Sequence, residues 1–445
     1  MSNKNDKVIE FTKEMKKDYT ILVPNMLPIH FSLIKRVFRL QGYNMVILQN
    51  EGHNVVEEGL KHVHNDTCYP ALLVIGQLID ALNSGKYDIN KTALMITQTG
   101  GGCRASNYIH LLRKALVKAG YAHVPVISLN ASGMEKNSGF KFTLSLLKKC
   151  IVVLAYGDLL MLLSNQVKPY ERYKGTSKLL VEEWVERLAN DFKEGIGFKF
   201  NELKENFNKI ARSFSEVPKL NTRKVKVGIV GEIYVKFSSL GNNKLEEFLD
   251  NEDCEVMVPG VLSFIMYCAE NNIIDNKLYG GGFIKSRISS KINEYLAKIE
   301  GALIDATNQY GGFVAPSAFR QLKSLGEKVI GLGNKMGEGW LLPAEIMELI
   351  HHGYENVICT QPFGCLPNHI VGKGLFRKIK GLQENANIVP IDYDPGATKV
   401  NQENRIKLML SVAKEKLQTE ILLEEHFNFN NLLDEKKLKT VEQTN

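Results

Sequence analysis

Three of the seven cysteines share a placement suited to chemistry. Cys68 lies in Asn65-Asp-Thr-Cys68-Tyr-Pro70, Cys103 closes Thr92-Ala-Leu-Met-Ile-Thr-Gln-Thr-Gly-Gly-Gly-Cys103, and Cys365 closes Asn356-Val-Ile-Cys-Thr-Gln-Pro-Phe-Gly-Cys365. Each stands just ahead of a helix-like segment. A sulfur there meets the positive end of the helix dipole and unpaired N–H groups, which favour thiolate, the form that binds metal or attacks an electrophile. Taken alone, the stretch from Thr92 serves equally well as a phosphate cradle beside a packed cysteine, because Gly-rich strand-to-helix turns hold many ligands. The echo moves the balance. Thr97-Gln98 matches Thr360-Gln361, with a cysteine five residues past the first Gln and four past the second.

Three thiolates from separate loops can hold a 4Fe-4S cluster with one iron open to another ligand. They can instead hold zinc, with His64 or His369 as the fourth donor. Neither Cys-x-x-Cys nor the ferredoxin spacing occurs. Cys150, Cys254 and Cys268 sit in apolar or strand-like settings and read as packing residues, while Cys359, in a strand, is ambiguous. Gly100, Gly101 and Gly102 let the backbone turn tightly and expose its N–H groups.

The elements that must position these loops alternate in type. Thr20 to Pro24 reads as a strand, Ile29 to Leu40 as a helix and Met45 to Leu48 as a strand; a helix from Ala71 to Leu82, the Thr92 strand, a helix from Ala105 and a strand at Pro125 to Ser128 follow. That order predicts a parallel sheet with helices on both faces. From 132 to 220 the pattern changes to long amphipathic stretches, such as Leu144 to Leu163 and Lys178 to Phe192. Asp158, after a Gly inside the first, reads as a turn residue or a polar group facing a cavity. A second α/β unit starts at Lys224, and Glu232 at the end of its first strand is a candidate for reaching a crevice. Tyr279-Gly-Gly-Gly-Phe283 reads as a turn or close-approach loop. The Gly-dense Gly331 to Trp340 reads as a connecting loop or an anion cradle at a helix start. Asn401 to Leu423 resembles a closing helix. The fold expected is therefore α/β: two Rossmann/flavodoxin-like parallel-sheet domains, 18–131 and 221–424, flank a mainly helical segment at 132–220. A polar leader at 1–17 and a polar tail at 425–445 complete the chain.

A length of 445 residues at 44% hydrophobic is ample for such cores. The net charge of +7 is spread thinly, with 56 Lys and Arg interleaved among 49 Asp and Glu, and forms no basic stripe of the kind nucleic-acid binding needs. The longest apolar run, Cys150 to Leu163, is broken by Gly157 and Asp158 and is too short to span a bilayer. The N-terminal residues are polar, without the apolar stretch of a signal peptide, so a cytoplasmic protein is expected. An odd cysteine count in such a chain argues against a disulfide framework.

The ordered set Asn65-Asp-Thr-Cys68-Tyr-Pro, Thr97-Gln-Thr-Gly-Gly-Gly-Cys103-Arg-Ala-Ser-Asn-Tyr and Gln361-Pro-Phe-Gly-Cys365-Leu-Pro resembles the 2-hydroxyacyl-CoA dehydratase D-component superfamily. Met336-Gly-Glu-Gly-Trp-Leu-Leu342 and Ile391-Asp-Tyr-Asp-Pro-Gly396 are similar to its branch associated with CoA-enzyme activases, and the likeness covers roughly residues 18 to 415. The resemblance implies an iron–sulfur cluster on Cys68, Cys103 and Cys365. It also implies a separate activase that couples ATP hydrolysis to the injection of a low-potential electron. In dehydratases of that superfamily the electron makes a ketyl radical of an acyl-CoA and water is eliminated; related subunits reduce aromatic rings. With that cluster in place, Gly100, Gly101, Gly102 and Gly364 would let backbone N–H groups approach its sulfides. Gln98, Arg104, Glu232 and Gln361 are pocket candidates.

Two functions of different class follow. One is an enzyme subunit that reduces or dehydrates a small substrate, such as an acyl-CoA, within a homo- or hetero-oligomer of related subunits. The other is a cluster-binding electron-transfer or scaffold partner of an activase, without turnover of its own. A metal-free α/β small-molecule binding protein is the third reading. Neither nucleic acid nor membrane is expected as a partner.

Overall fold

The computed structural model describes residues 8–64, 66–98, 101–130, 135 and 137–442, with side chains through 424 and at 426. Its eight strands are β1 (Thr20–Val23), β2 (Asn44–Ile47), β3 (Thr92–Thr97), β4 (Val126–Leu129), β5 (Val225–Gly231), β6 (Cys254–Met257), β7 (Asn356–Pro362) and β8 (Asn387–Tyr393). They form two four-stranded sheets in the orders β2-β1-β3-β4 and β6-β5-β7-β8, every pair parallel. The protein is thus α/β with two parallel-sheet units of one winding order. In that order the chain steps to one side of the first strand and then to the other. Each sheet therefore has a switch point at the carboxyl ends of its first and third strands, where open α/β folds form crevices.

Short apolar strands suit this design because both faces are covered. Ile21, Ala93 and Met95 point into one core, while Leu22, Leu94 and Ile96 point into the other. The second sheet divides the same way, Val230 and Val357 facing one side and Ile229 and Ile358 the other. Each core draws residues from both sheets. No helix among the described residues is long and apolar enough to cross a membrane.

The helical segment carries the joint. Helix Leu144–Val167 has Thr143 as its N-cap, whose hydroxyl accepts from Leu146 N at 3.2 Å. Asp158 lies in its middle, neither at a turn nor free. Its Oδ1 is 2.8 Å from His30 Nε2, on the helix Pro28–Leu40 that follows β1. The same carboxylate accepts from Val261 N and Leu262 N, both at 2.8 Å, and so caps helix Val261–Tyr279 that follows β6. A Cβ at Gly260 would stand 2.6 Å from the Asp158 carboxyl carbon, so the cap closes only on glycine. One buried charge links helices from both units.

Two elements extend what the sequence pattern implies. Between β6 and β7 the chain forms a helical hairpin, Val261–Tyr279 and Phe283–Gln309, turned by Gly280, Gly281 and Gly282 at φ +67°, +83° and +63°. The Gly-rich triplet is this turn. The closing helix runs Lys399–Glu442, past Leu423, because Glu, Lys and Leu continue there with no Gly or Pro to stop it.

Replacing Asp158 by Ala should cost about 3–5 kcal/mol, because it leaves a buried histidine and two helix N–H groups without their acceptor. Urea unfolding compared with the native protein checks this; a loss under 1 kcal/mol would show that the joint does not depend on the carboxylate.

Candidate functional site

Each predicted thiol is the N-cap of the turn that follows it. Cys68 caps helix Tyr69–Asn83, Cys103 caps the 3-10 turn Arg104–Asn107 that leads into helix Tyr108–Lys118, and Cys365 caps helix Leu366–Val371. None makes a side-chain cap hydrogen bond. Cys103 follows β3 and Cys365 follows β7, which puts them at the switch points of the two sheets. Cys68 comes from the loop between helices His53–His62 and Tyr69–Asn83.

The Cys68 loop is gripped from both sides. Tyr69 N donates to Phe363 O at 2.9 Å, and a Cβ on Gly364, at φ +73°, would meet Cys68 Cα at 3.0 Å. Only glycine both adopts that φ without strain and lets the Cys365 loop lie this close. From the other side, Cys68 Sγ is 2.9 Å from the Tyr108 hydroxyl, and Arg104 donates to Asp66 O. The Cys103 and Cys365 loops thus meet at Cys68, although β3 and β7 belong to different sheets.

Two carboxylates complete the surroundings. Glu232, at the end of β5, caps the short helix Ile233–Phe237 through Oε2, which accepts from Val235 N at 2.9 Å. Glu338 Oε1 accepts from Ile233 N of the same turn at 2.9 Å, and its Oε2 has no partner among the described residues. Burial, then the neighbouring Glu338 charge, pushes Glu232 up to about 8. Burial also raises Glu338. Lys236, whose charge acts on both carboxyls, lies 3.1 Å from Glu345.

Glu338 has no place in the sequence reading of the site. It arrives on the Gly-dense loop from Gly331, which folds back on itself through Trp340 N to Asn334 O at 2.7 Å and is held by Tyr267 Oη donating to Lys335 O at 2.7 Å. Of the two expectations for this stretch, the connecting loop is what the structure shows, and it delivers a buried acid. The signal available in the sequence was a lone Glu between two glycines.

The remaining candidates fall into two groups. Gln98 braces the Cys103 loop: its Oε1 accepts from Ser128 Oγ at 2.8 Å and its Nε2 donates to Ser106 O at 3.4 Å. Arg104 is exposed and ties two thiol loops together. Gln361 is fully buried, with Nε2 3.8 Å from Cys359 Sγ and Oε1 unpartnered among the described residues, as is Oδ1 of the buried Asn368. Gly101 and Gly102 are exposed, and a Cβ on Gly102 would run into the Met336 thioether at 2.2 Å, so that glycine admits a side chain of the Glu338 loop. Gly100 lies outside the described residues. Cys359 is fully buried in β7, and Cys150 and Cys254 are buried as expected, but Cys268 is exposed rather than packed. His64 is exposed, with Nδ1 3.4 Å from Asp66.

The thiols differ from expectation in one respect. Burial pushes Cys68, Cys103 and Cys365 up, and Glu232 adds to the effect at each of them, more strongly than their helix starts lower them. A metal or cluster binding here must displace protons, so assembly releases acid. Burial, with the charge at Cys68 and Glu232 next, also holds the Tyr108 phenol well above its ordinary value. It stays an O–H donor.

Three thiols from three loops, two of the loops touching through Gly364, are of the donor type that iron–sulfur groups use. Among the described residues no three His, Cys, Asp or Glu side chains stand together closely enough for a single metal ion. No protein-family model matches the chain, and no curated protein matches it.

The buried acids set a pH dependence. Glu232 and Glu348 are pushed up to about 8 and Glu300 to about 7, burial being the main cause, from an ordinary value of 4.5. Between pH 4.5 and about 8 these carboxyls bind more protons in the folded protein than in the unfolded chain, so their contribution to stability falls as pH rises. Urea unfolding of the metal-free protein across that range should show the fall, and E232Q should make it shallower. An unchanged slope in E232Q would mean that Glu232 is ionised throughout.

Proposed function

We propose that this chain is an iron–sulfur protein in which Cys68, Cys103 and Cys365 hold a 4Fe-4S cluster. It receives low-potential electrons from a separate ATP-hydrolysing activase and reduces or dehydrates a small substrate, with an acyl-CoA as the first candidate. The observation that supports this most is the meeting of the Cys103 and Cys365 loops, from different sheets, at the loop that carries Cys68. The resemblance of the three cysteine contexts to the 2-hydroxyacyl-CoA dehydratase D-component superfamily supports it independently.

When bound, the cluster supplies one electron at a time at low potential. The chain's own groups do the rest. The Gly364 contact orients the Cys68 and Cys365 loops toward each other. Glu232, kept protonated near neutral pH by burial and by the neighbouring Glu338 charge, holds a proton near the thiols as a store for a substrate that gains an electron. Met336, Phe363, Leu366 and Ile370 are exposed apolar side chains on the loops around the site, a surface suited to contact with the activase or a related subunit.

Anaerobically prepared protein should be brown, with about four irons and matching sulfide per chain. Cys103→Ser should lose most of that iron. A colourless protein carrying one zinc per chain would overturn the proposal, and full iron in the Cys103 variant would remove Cys103 from the ligand set. Consumption of an acyl-CoA in the presence of activase and ATP separates an enzyme from an electron-transfer partner.

A further inference from the structure

We propose that Tyr108 tunes the reduction potential of the site by donating its hydroxyl proton to the Cys68 sulfur. This rests on the reading of the site given above. In the free thiol either partner of the 2.9 Å contact can be the donor. Once Cys68 binds as a thiolate its sulfur has no proton, and only the tyrosine can donate.

A hydrogen bond to a ligating sulfur withdraws negative charge from it. It therefore stabilises the reduced, more negative state over the oxidised one and raises the potential. Among hydrogen-bond donors to the three thiols, backbone N–H groups at Ala71, Cys103, Ala105 and Asn368 also contribute. Those are fixed by the fold. Tyr108 is a donor that a side-chain change can alter.

The placement of Tyr108 is a consequence of local structure. The 3-10 turn Arg104–Asn107 is tighter than an α-helical one, and helix Tyr108–Lys118 begins directly after it. Tyr108, five residues past Cys103, therefore reaches back to a different loop and bonds the Cys68 sulfur. One segment both presents a thiol of its own and polarises a second. Tyr108 acts through Cys68 and is a positioning residue, not a group that touches substrate.

The test compares anaerobically assembled native protein with Y108F, which keeps the ring and removes the donor. Iron per chain and an EPR-monitored redox titration are read for each. Y108F should retain its iron and show about a tenfold lower ratio of reduced to oxidised cluster at a fixed potential, equivalent to about 59 mV more negative for one electron. Fluorotyrosine in place of Tyr108, a more acidic phenol and stronger donor, should move the potential the other way. Y121F, whose hydroxyl bonds Asn83 instead, should leave it in place. Full iron with an unmoved potential in both Tyr108 variants overturns this inference and leaves the cluster reading intact. Native protein without iron overturns both. Loss of iron from Y108F together with an unmoved potential in the fluorotyrosine protein assigns Tyr108 to assembly and overturns tuning.

Discussion

The arrangement of the protein depends on the Asp158 carboxylate. It is buried in the middle of an apolar helix, a place where an unpartnered charge would be prohibitively costly. Its partners come from both sides: His30 from the helix after β1, and two N–H groups at the start of the helix after β6. A charge of this kind satisfies its hydrogen bonds in few arrangements, whereas apolar surfaces slide with little penalty. The hydrophobic cores hold the two sheets together, and the carboxylate selects how the helices beside them meet. Gly260 and Gly157 record the closeness of that meeting, since a Cβ on either would clash with Asp158 or with His30.

With that joint in place, the carboxyl ends of β3, β5 and β7 contribute to one region. Its composition is unusual for a protein interior: three thiols and two carboxyls, with the neighbouring Lys236 paired to Glu345. Every group there is neutral only while it keeps a proton. Such a region is costly to maintain as packing, because apolar residues would fill the same volume without desolvating acids. The cluster-binding function proposed above would give thiols and acids a joint role, the first as ligands and the second as proton stores.

The thiol loops also show how a site can be rigid without being regular. Cys68 is touched by both of the other loops, its backbone by Gly364 on one side and its sulfur by the Tyr108 hydroxyl on the other. Gln98 and Arg104 reinforce this from outside by holding the Cys103 loop to β4 and to the Cys68 loop. Their polar groups serve as struts, which is why a reading by residue type alone places them in the pocket.

Local sequence determined a good deal. Apolar runs of four to seven residues bounded by Gly, Pro and Asn marked the strands, and helical periodicity between them implied parallel pairing. The cysteines ahead of helices were legible because capping is a local property, set within a turn. Local pattern was silent where apolar residues surround a helix on several sides, as in Val261–Tyr279, whose periodicity is blurred because neighbours cover more than one face. It was also silent for Glu338 and Tyr108. Nothing within a few residues of either signals that one will face Glu232 and the other Cys68, for those distances are set by the packing of loops far apart in the chain. The same holds for the thiol pKa values: a helix start alone favours thiolate, but burial reverses it, and burial is decided only when both sheets close over the site.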